Sequence, residues 1–320
     1  MPRADQEAKS VNMASSKISC GIAVPQTLLD RSSDREFIRR FVFRAEALGY
    51  EGLWVQEQIL GDVPLLEPVT LLTYASALTT RPRLGTSVLI TVVRNPVQLA
   101  KALATLDQLS NGRLIVGVGV GGPHVPEAVF GVPSEHRGRH FTEGLQVMKA
   151  LWTEPRASIN GEFWRFADVA MEPKPVQKPH PPLWFGAREP VALRRAARLG
   201  DGWMGAGSSS SADFINQVGR LRQFLDEERR DHGKFAISKR VYLAIDNDRT
   251  RAERRLREWF GMRYKNADMA SRVSIWGGPD ECLDKLGELV RAGARHFLLN
   301  PVFDEMEHME ILSSEVVPKL

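Results

Sequence analysis

Glu57 is the one carboxylate that stands where a predicted strand runs out, and comparable positions elsewhere hold mostly amides, glycines and hydroxyls. They are Gln26, Glu57 and Gln58, residues 87–91, 119–124, 186–188 and 205–207, and Asn300. A carboxylate so placed can move a proton to or from a substrate, or it can tie two rim segments together as an ion pair. The sequence leaves both readings open. Gln58 beside it cannot take up a proton at working pH. No strand end carries a lysine, and the first strand has no pair of histidines one residue apart, which argues against Schiff-base chemistry and a metal-dependent hydrolase. Positions so poor in acids, bases and nucleophiles suit a reaction carried by a bound organic cofactor.

Two glycine-bearing stretches could hold such a cofactor. Gly186-Ala187-Arg188 ends a strand just before a helix that opens with Pro190, so free N–H groups, the positive end of a helix dipole and a guanidinium converge where a phosphate could sit. The alternative is an ordinary tight turn with an exposed arginine. Gly117, Gly119, Gly121 and Gly122 let backbone approach a ligand without a Cβ in the way. Their spacing satisfies G-x-G-x-x-G, but Pro123-His124-Val125-Pro126 follows instead of a helix, so the dinucleotide fingerprint is rejected. His124, His136 and His140 could act as general acids, although solvated loop histidines are the favoured reading. Trp54, Trp184, Trp203 and Phe185 are better explained as core than as reactive groups.

These side chains need a scaffold that gathers strand ends, and the hydrophobic pattern supplies one. The stretch 104–122, ATLDQLSNGRLIVGVGVGG, joins an apolar-striped helix (Leu99, Leu103, Leu106) to a strand over 114–120 through a Ser110-Asn111-Gly112 turn. A helix feeding a strand that is apolar on both faces is half of a parallel β/α unit. Further strands are predicted over 18–25, 52–56, 84–91, 183–186, 202–205, 240–245 and 295–300. Helices are predicted after a Ser33/Glu36 capping box, over 68–78, after an Asn95 cap, over 139–152 and 190–199, up to about residue 230, and over 251–260 and 281–292. The rhythm breaks over 153–182, where a hairpin about Asn160-Gly161 and a proline-rich return read as an insertion, either a lid or a surface excursion. Eight alternations predict a single α/β domain over 18–320, a (β/α)8 TIM barrel whose strand carboxyl ends form the site, behind a disordered tail over 1–17.

Composition narrows the partners. A net charge of +4 on 43 basic and 39 acidic residues gives no reason to expect nucleic acid. No apolar run reaches the roughly 18 residues of a membrane helix, and the first 17 residues lack the apolar core of a signal peptide, so no membrane partner and a cytoplasmic location are expected. Cys20 and Cys282 are isolated, which argues against a disulfide framework or a zinc site.

The segment 106–122, LDQLSNGRLIVGVGVGG, resembles the signature of the luciferase-like monooxygenase superfamily. Gly85-Thr86-Ser87-Val88-Leu89 resembles its coenzyme F420-dependent branch. The resemblance implies a TIM-barrel oxidoreductase with F420 as cofactor (FMN as the alternative), a small-molecule substrate, hydride transfer between deazaflavin and substrate, and a homodimer. It places the ring against Ser87, Val88, Leu89, Gly119, Gly121 and Gly122, and the phosphate near Gly186, Ala187 and Arg188. It also implies a cis peptide between Ser87 and Val88. Glu57 and Gln58 are the catalytic candidates, and no metal is expected. The branch commonly has Asp-His where this chain has Glu57-Gln58, and an acid where Gly122 stands, so a sugar-phosphate dehydrogenase mechanism built on that histidine is not implied. The rivals are an FMN-dependent monooxygenase using reduced flavin and dioxygen, and a non-catalytic flavin-binding barrel.

Overall fold

A computed structural model describes residues 18–27, 34–122, 125, 127–132 and 135–320; the tail expected over 1–17, Ser33 and His124 lie outside them. In chain order the strands are β1 (Ser19–Ala23), β2 (Gly52–Val55), β3 (Arg83–Thr86), β4 (Leu89–Ile90), β5 (Leu114–Gly119), β6 (Ala157–Asn160), β7 (Arg165–Val169), β8 (Leu183–Gly186), β9 (Gly202–Gly205), β10 (Ala236–Ile245), β11 (Ser274–Gly277) and β12 (His296–Pro301). All pair in parallel except the β6–β7 hairpin. The ladder runs β1, β2, β3 with β4, β5, β8, β9, β10 and β12, and β12 returns to β1 with Ser19 opposite His296. This is a closed (β/α)8 barrel.

The helices that return the chain are α1 (Arg35–Ala47), α2 (Pro68–Leu78), α3 (Pro96–Leu109), α4 (Arg137–Thr153), α5 (Pro190–Leu199), α6 (Ser211–Glu227), α7 (Arg249–Tyr264), α8 (Met269–Val273), α9 (Pro279–Ala292) and α10 (Glu305–Ile311). Proline opens α2, α3, α5 and α9, where its missing N–H would have had no helical partner. Asn95 caps α3 as its sequence suggests, accepting from Val97 N at 3.0 Å. At α1 the cap is Asp34, which accepts from Phe37 N at 3.0 Å. No helix among the described residues is long and apolar enough to cross a membrane, and no cluster of three or more His, Cys, Asp or Glu among them could hold a metal.

Small residues on the early strands make room for one large one. A Cβ on Gly21, Gly52 or Gly85 would come within 2.3, 2.7 and 2.2 Å of the Trp54 indole. That indole stacks on Trp184 at 5.3 Å inside the barrel, with His296 against both rings. Complete burial pushes His296 down to about 3 and keeps it neutral, hydrogen-bonded to Ser238 Oγ at 2.7 Å.

Two regions differ from the sequence expectation. Asn160 pairs with Arg165, so the hairpin closes through residues 161–164 rather than a two-residue Asn-Gly turn. Glu143 of α4 sets that loop by accepting from the N–H groups of Glu162, Phe163 and Trp164. The return segment is a strut, not a cover: Gln177 bonds Asp107 and the carbonyl of Leu114, the first residue of β5, on the face opposite the strand carboxyl ends. After β10 the chain also makes an excursion, α7 and α8, that packs on Tyr242 and Ala244 before β11 pairs with the far half of β10.

Candidate active site

The strand expected over 84–91 is broken. Gly85 pairs with Ile115 and Leu89 with Val118, so Thr86, Ser87 and Val88 face only Val116 and Gly117. One extra residue on one side is a β-bulge. The Thr86 hydroxyl bridges the gap, accepting from Gly117 N at 2.8 Å and donating to Gly117 O at 2.9 Å. The Ser87–Val88 peptide is cis, as the resemblance implied. The bulge also explains the glycines. A Cβ at Gly117 would lie 1.8 Å from Thr86 O; at Gly119 and Gly186 it would meet Val88 Cγ2 at 2.7 and 2.9 Å, and at Gly121 Ile90 Cγ2 at 2.8 Å. Gly117, Gly119 and Gly186 are small because the bulge occupies their space, whereas Gly121 also sits at φ +80°. Gly122 alone in the run has nothing within 4 Å.

Glu57 has a fully buried carboxylate. It accepts from the N–H of Ile90, just beyond the bulge, and from Arg94 Nε at 2.7 Å, with Arg94 Nη2 also in contact. Arg94 continues to Glu67 at 2.7 Å. Burial alone would lower the Arg94 pKa, but the two carboxylates hold it above its ordinary value. Gln58 turns its amide oxygen to Arg263 in the last turn of α7. The two neighbours thus face different partners.

The centre of the barrel mouth is polar. Arg240 projects from β10 with 8% of its surface exposed and donates from Nη2 to Gln56 Oε1 at 2.6 Å and to Asn300 Oδ1 at 2.8 Å. Its Nε reaches Asn300 Oδ1 at 3.0 Å, and its Nη1 lies 3.5 Å from the carbonyl of Ser87. Gln26 holds Gln56 in place, accepting from its N–H at 2.8 Å and donating to its carbonyl at 2.7 Å. Groups from β12, the end of β2 and the bulge therefore converge on one guanidinium of β10, with Gln26 beyond β1 backing one of them. The gap they enclose is about 10 Å³ and is lined by Trp54, Ser87, Arg240 and Asn300 among others, room for about one water. Gln26 and Asn300 were legible as strand-end residues, whereas Arg240 and Gln56 were missed. The available signal was two adjacent basic residues, Lys239 and Arg240, in a strand whose second half is apolar, with Arg240 on the same face as Ser238 and Tyr242.

The expected phosphate position lies at the outer rim. Trp203 Nε1 donates to Ala187 O at 2.8 Å and fixes the 186–188 loop, and Arg188 is exposed with Nη1 3.4 Å from Ser208 Oγ. A groove of about 680 Å³ runs from Arg188 and Pro190 past Asp213 to Arg220. No side chain caps α5, where Pro190 has no N–H and those of Ala192 and Leu193 bond Glu189 O at 2.9 Å, which leaves the Val191 N–H, whereas Ser210 and Asp213 close the start of α6 as a capping box. An anion is favoured at α5 and opposed by the Asp213 carboxylate at α6. Beneath the 206–209 loop, burial and then the neighbouring Arg240 push Lys239 down to about 7; its Nζ donates to Ser209 O at 2.9 Å and also contacts Ala206 O. His140 is not solvated: it is buried between Phe163 and Trp164. His136 is exposed at the start of α4.

An anionic group could meet an open glycine beyond β5, and Arg188 with the Val191 N–H at the start of α5, while the central gap is lined by no carboxylate, histidine or lysine. A F420-dependent glucose-6-phosphate dehydrogenase of Kineococcus radiotolerans is 27% identical over 314 residues, covering 88% of this chain and 91% of that protein. An uncharacterized protein of Mycobacterium tuberculosis is 44% identical, but over 140 residues only, so the match spans 43% of this chain and about half (49%) of that relative. Among solved structures, an F420-dependent secondary alcohol dehydrogenase in complex with an F420–acetone adduct superposes with a TM-score of 0.82 at 20% identity, covering 95% of this chain and 99% of the other. The oxygenating constituent of 3,6-diketocamphane monooxygenase from Pseudomonas putida, in complex with FMN, gives 0.75 at 16% identity, with coverage of 95% and 98%. The model of the luciferase-like monooxygenase family matches residues 17–296, and this chain belongs to that family.

Proposed function

We propose that this chain is a coenzyme F420-dependent oxidoreductase that transfers a hydride between the deazaflavin and a small organic substrate. The observation that carries the reading is the bulge at Ser87 and Val88, set over a glycine floor and beside the open Gly122, at a mouth whose central gap is lined by no acid or base other than Arg240. The F420-dependent name of a relative matched over 88% of the chain supports the choice of cofactor. Bound there, the deazaflavin supplies the carbon that gives or takes the hydride. The chain's own residues bind and orient. Ser87, Val88 and Leu89 back the ring, with Gly119, Gly121 and Gly122 beside them. Gly186, Ala187, Arg188 and the Val191 N–H at the start of α5 take the phosphate. Glu57 acts through Ile90 as a positioning residue for the bulge, and Gln58 faces the substrate side while Arg263 orients it. Gln58 does not titrate, so glucose 6-phosphate is not the substrate proposed. A cytoplasmic, isologous homodimer belongs to the same proposal.

An FMN-dependent monooxygenase is the second reading, favoured by the FMN-bound neighbour of the same fold. Protein expressed without a deazaflavin source and titrated separately with F420 and FMN separates the two. Saturable quenching of F420 fluorescence with weaker FMN binding is expected; tight FMN and no F420 binding would transfer the assignment to the second reading.

A further inference from the structure

Two arginines among the described residues are almost wholly buried, and neither has a carboxylate partner there. They are built differently. Arg113 uses all five of its N–H groups: Nε on Ser110 O at 2.8 Å, Nη1 on Thr79 Oγ1 at 3.0 Å and Pro82 O at 2.9 Å, and Nη2 on Ser76 O at 3.0 Å and Thr79 O at 2.8 Å. Its charge rests on carbonyls at the negative end of α2, a complete structural lock. Arg240 commits Nε and Nη2 to the amide oxygens of Asn300 and Gln56. Its Nη1 has only the 3.5 Å approach to Ser87 O, beyond the usual hydrogen-bond range. The guanidinium also lies 4.7 Å over the Tyr242 ring, but among the described residues no carboxylate meets its charge, which burial makes costly to leave without an anion. The fork is held by Asn300 of β12 and by Gln56 at the end of β2, and its least-used nitrogen points at the bulge.

We propose that Arg240 is the receptor for an anionic oxygen in the barrel mouth, offered through Nη1, with Asn300 and Gln56 as positioning residues. Two sources share that chemistry: a carboxylate on the small substrate, and the ring oxygen of the reduced cofactor over which negative charge spreads. Only the second rests on the cofactor reading given above. Arg240 then favours the reduced over the oxidised ring, or it selects substrates that carry a carboxylate beside the reacting carbon.

The test uses the whole protein with Arg240→Gln and with Asn300→Asp, which keeps the guanidinium and places a carboxylate against it. Melting temperatures establish that each variant folds. In one arm, the affinities for oxidised and reduced F420 are measured by absorbance and potentiometry. A tenfold loss of preference for the reduced form, a fall of about 30 mV in the two-electron potential, identifies the ring oxygen as the source. In the other, acetate is titrated by calorimetry into protein without cofactor. Millimolar binding in the parent that is lost in both variants identifies the substrate carboxylate. If F420 binds the parent in neither redox state, the cofactor reading fails while the acetate arm still decides. An unchanged redox preference together with acetate binding that is absent from the parent, or equal in parent and variants, would overturn the proposal. Should Arg240→Gln fail to fold, Asn300→Asp carries the same readouts alone.

Discussion

Replacing Glu57 by glutamine separates its two readings. Removing one partner of a buried ion pair ordinarily costs about 3–5 kcal/mol, because the other charge is stranded. Here the stranded group is Arg94, whose side chain is one-fifth exposed and which keeps Glu67 at 2.7 Å. Glutamine also keeps one carbonyl for the Ile90 N–H that Glu57 now satisfies. Both effects shrink the penalty to about 2–3 kcal/mol. A chain of this length unfolds with roughly 0.6 kcal/mol per kelvin of entropy, so Glu57→Gln should lower Tm by about 3–5 K. Thermal unfolding of the cofactor-free protein reads this directly. A cycle with Arg94→Met should show a coupling of about 1–3 kcal/mol between the two positions. Cofactor affinity should fall with stability, because the lost acceptor loosens the segment just beyond the bulge. An unchanged Tm, no coupling to Arg94, and turnover abolished at parental cofactor affinity would refute the positioning role and restore Glu57 as a proton handler.

Further outcomes follow from the same geometry. Arg188→Ala should weaken cofactor binding about tenfold and leave the apo Tm within a degree or two, since Arg188 is exposed and its contact to Ser208 is long; parental affinity would remove the phosphate assignment. Gly117→Ala puts a methyl group 1.8 Å from a backbone carbonyl and should cost about 3 kcal/mol or more in denaturant unfolding. Gly122→Ala meets nothing, so it should leave stability within about 0.5 kcal/mol while weakening cofactor binding; equal stability losses at the two glycines would contradict the bulge account. Lys239 titrates near 7 when folded, against an ordinary value of 10.5. Between these values the unfolded chain holds a proton that the folded chain has released, so stability rises with pH by up to about 1.4 kcal/mol per unit. From pH 7.5 to 9 the parent should gain about 2 kcal/mol over Lys239→Met in urea unfolding, and parallel curves would show that Lys239 stays charged.

Much of the scaffold was decided locally. Pro68 and Leu78 bound α2, Pro190 and Leu199 bound α5, and β8 and β9 occupy 183–186 and 202–205 as their sequences suggested. These signals are caps, first-turn prolines and runs apolar on both faces, all readable within a few residues. The glycine-ended strand β5 and the phosphate-like loop before α5 were legible for the same reason. What the glycines are for was not. Gly117, Gly119 and Gly186 answer to Thr86 and Val88, and Gly21, Gly52 and Gly85 to Trp54, so their smallness is set by packing between strands. The burial of Glu57 likewise depends on Ile90 and Arg94, 33 and 37 residues away. Arg240 meets Ser87 and Gln56 across 153 and 184 residues. Only closure of the barrel brings these groups together, because register and twist choose which side chains face the mouth. Sequence patterns specify the β/α units, and the way those units close decides which polar groups share a charge.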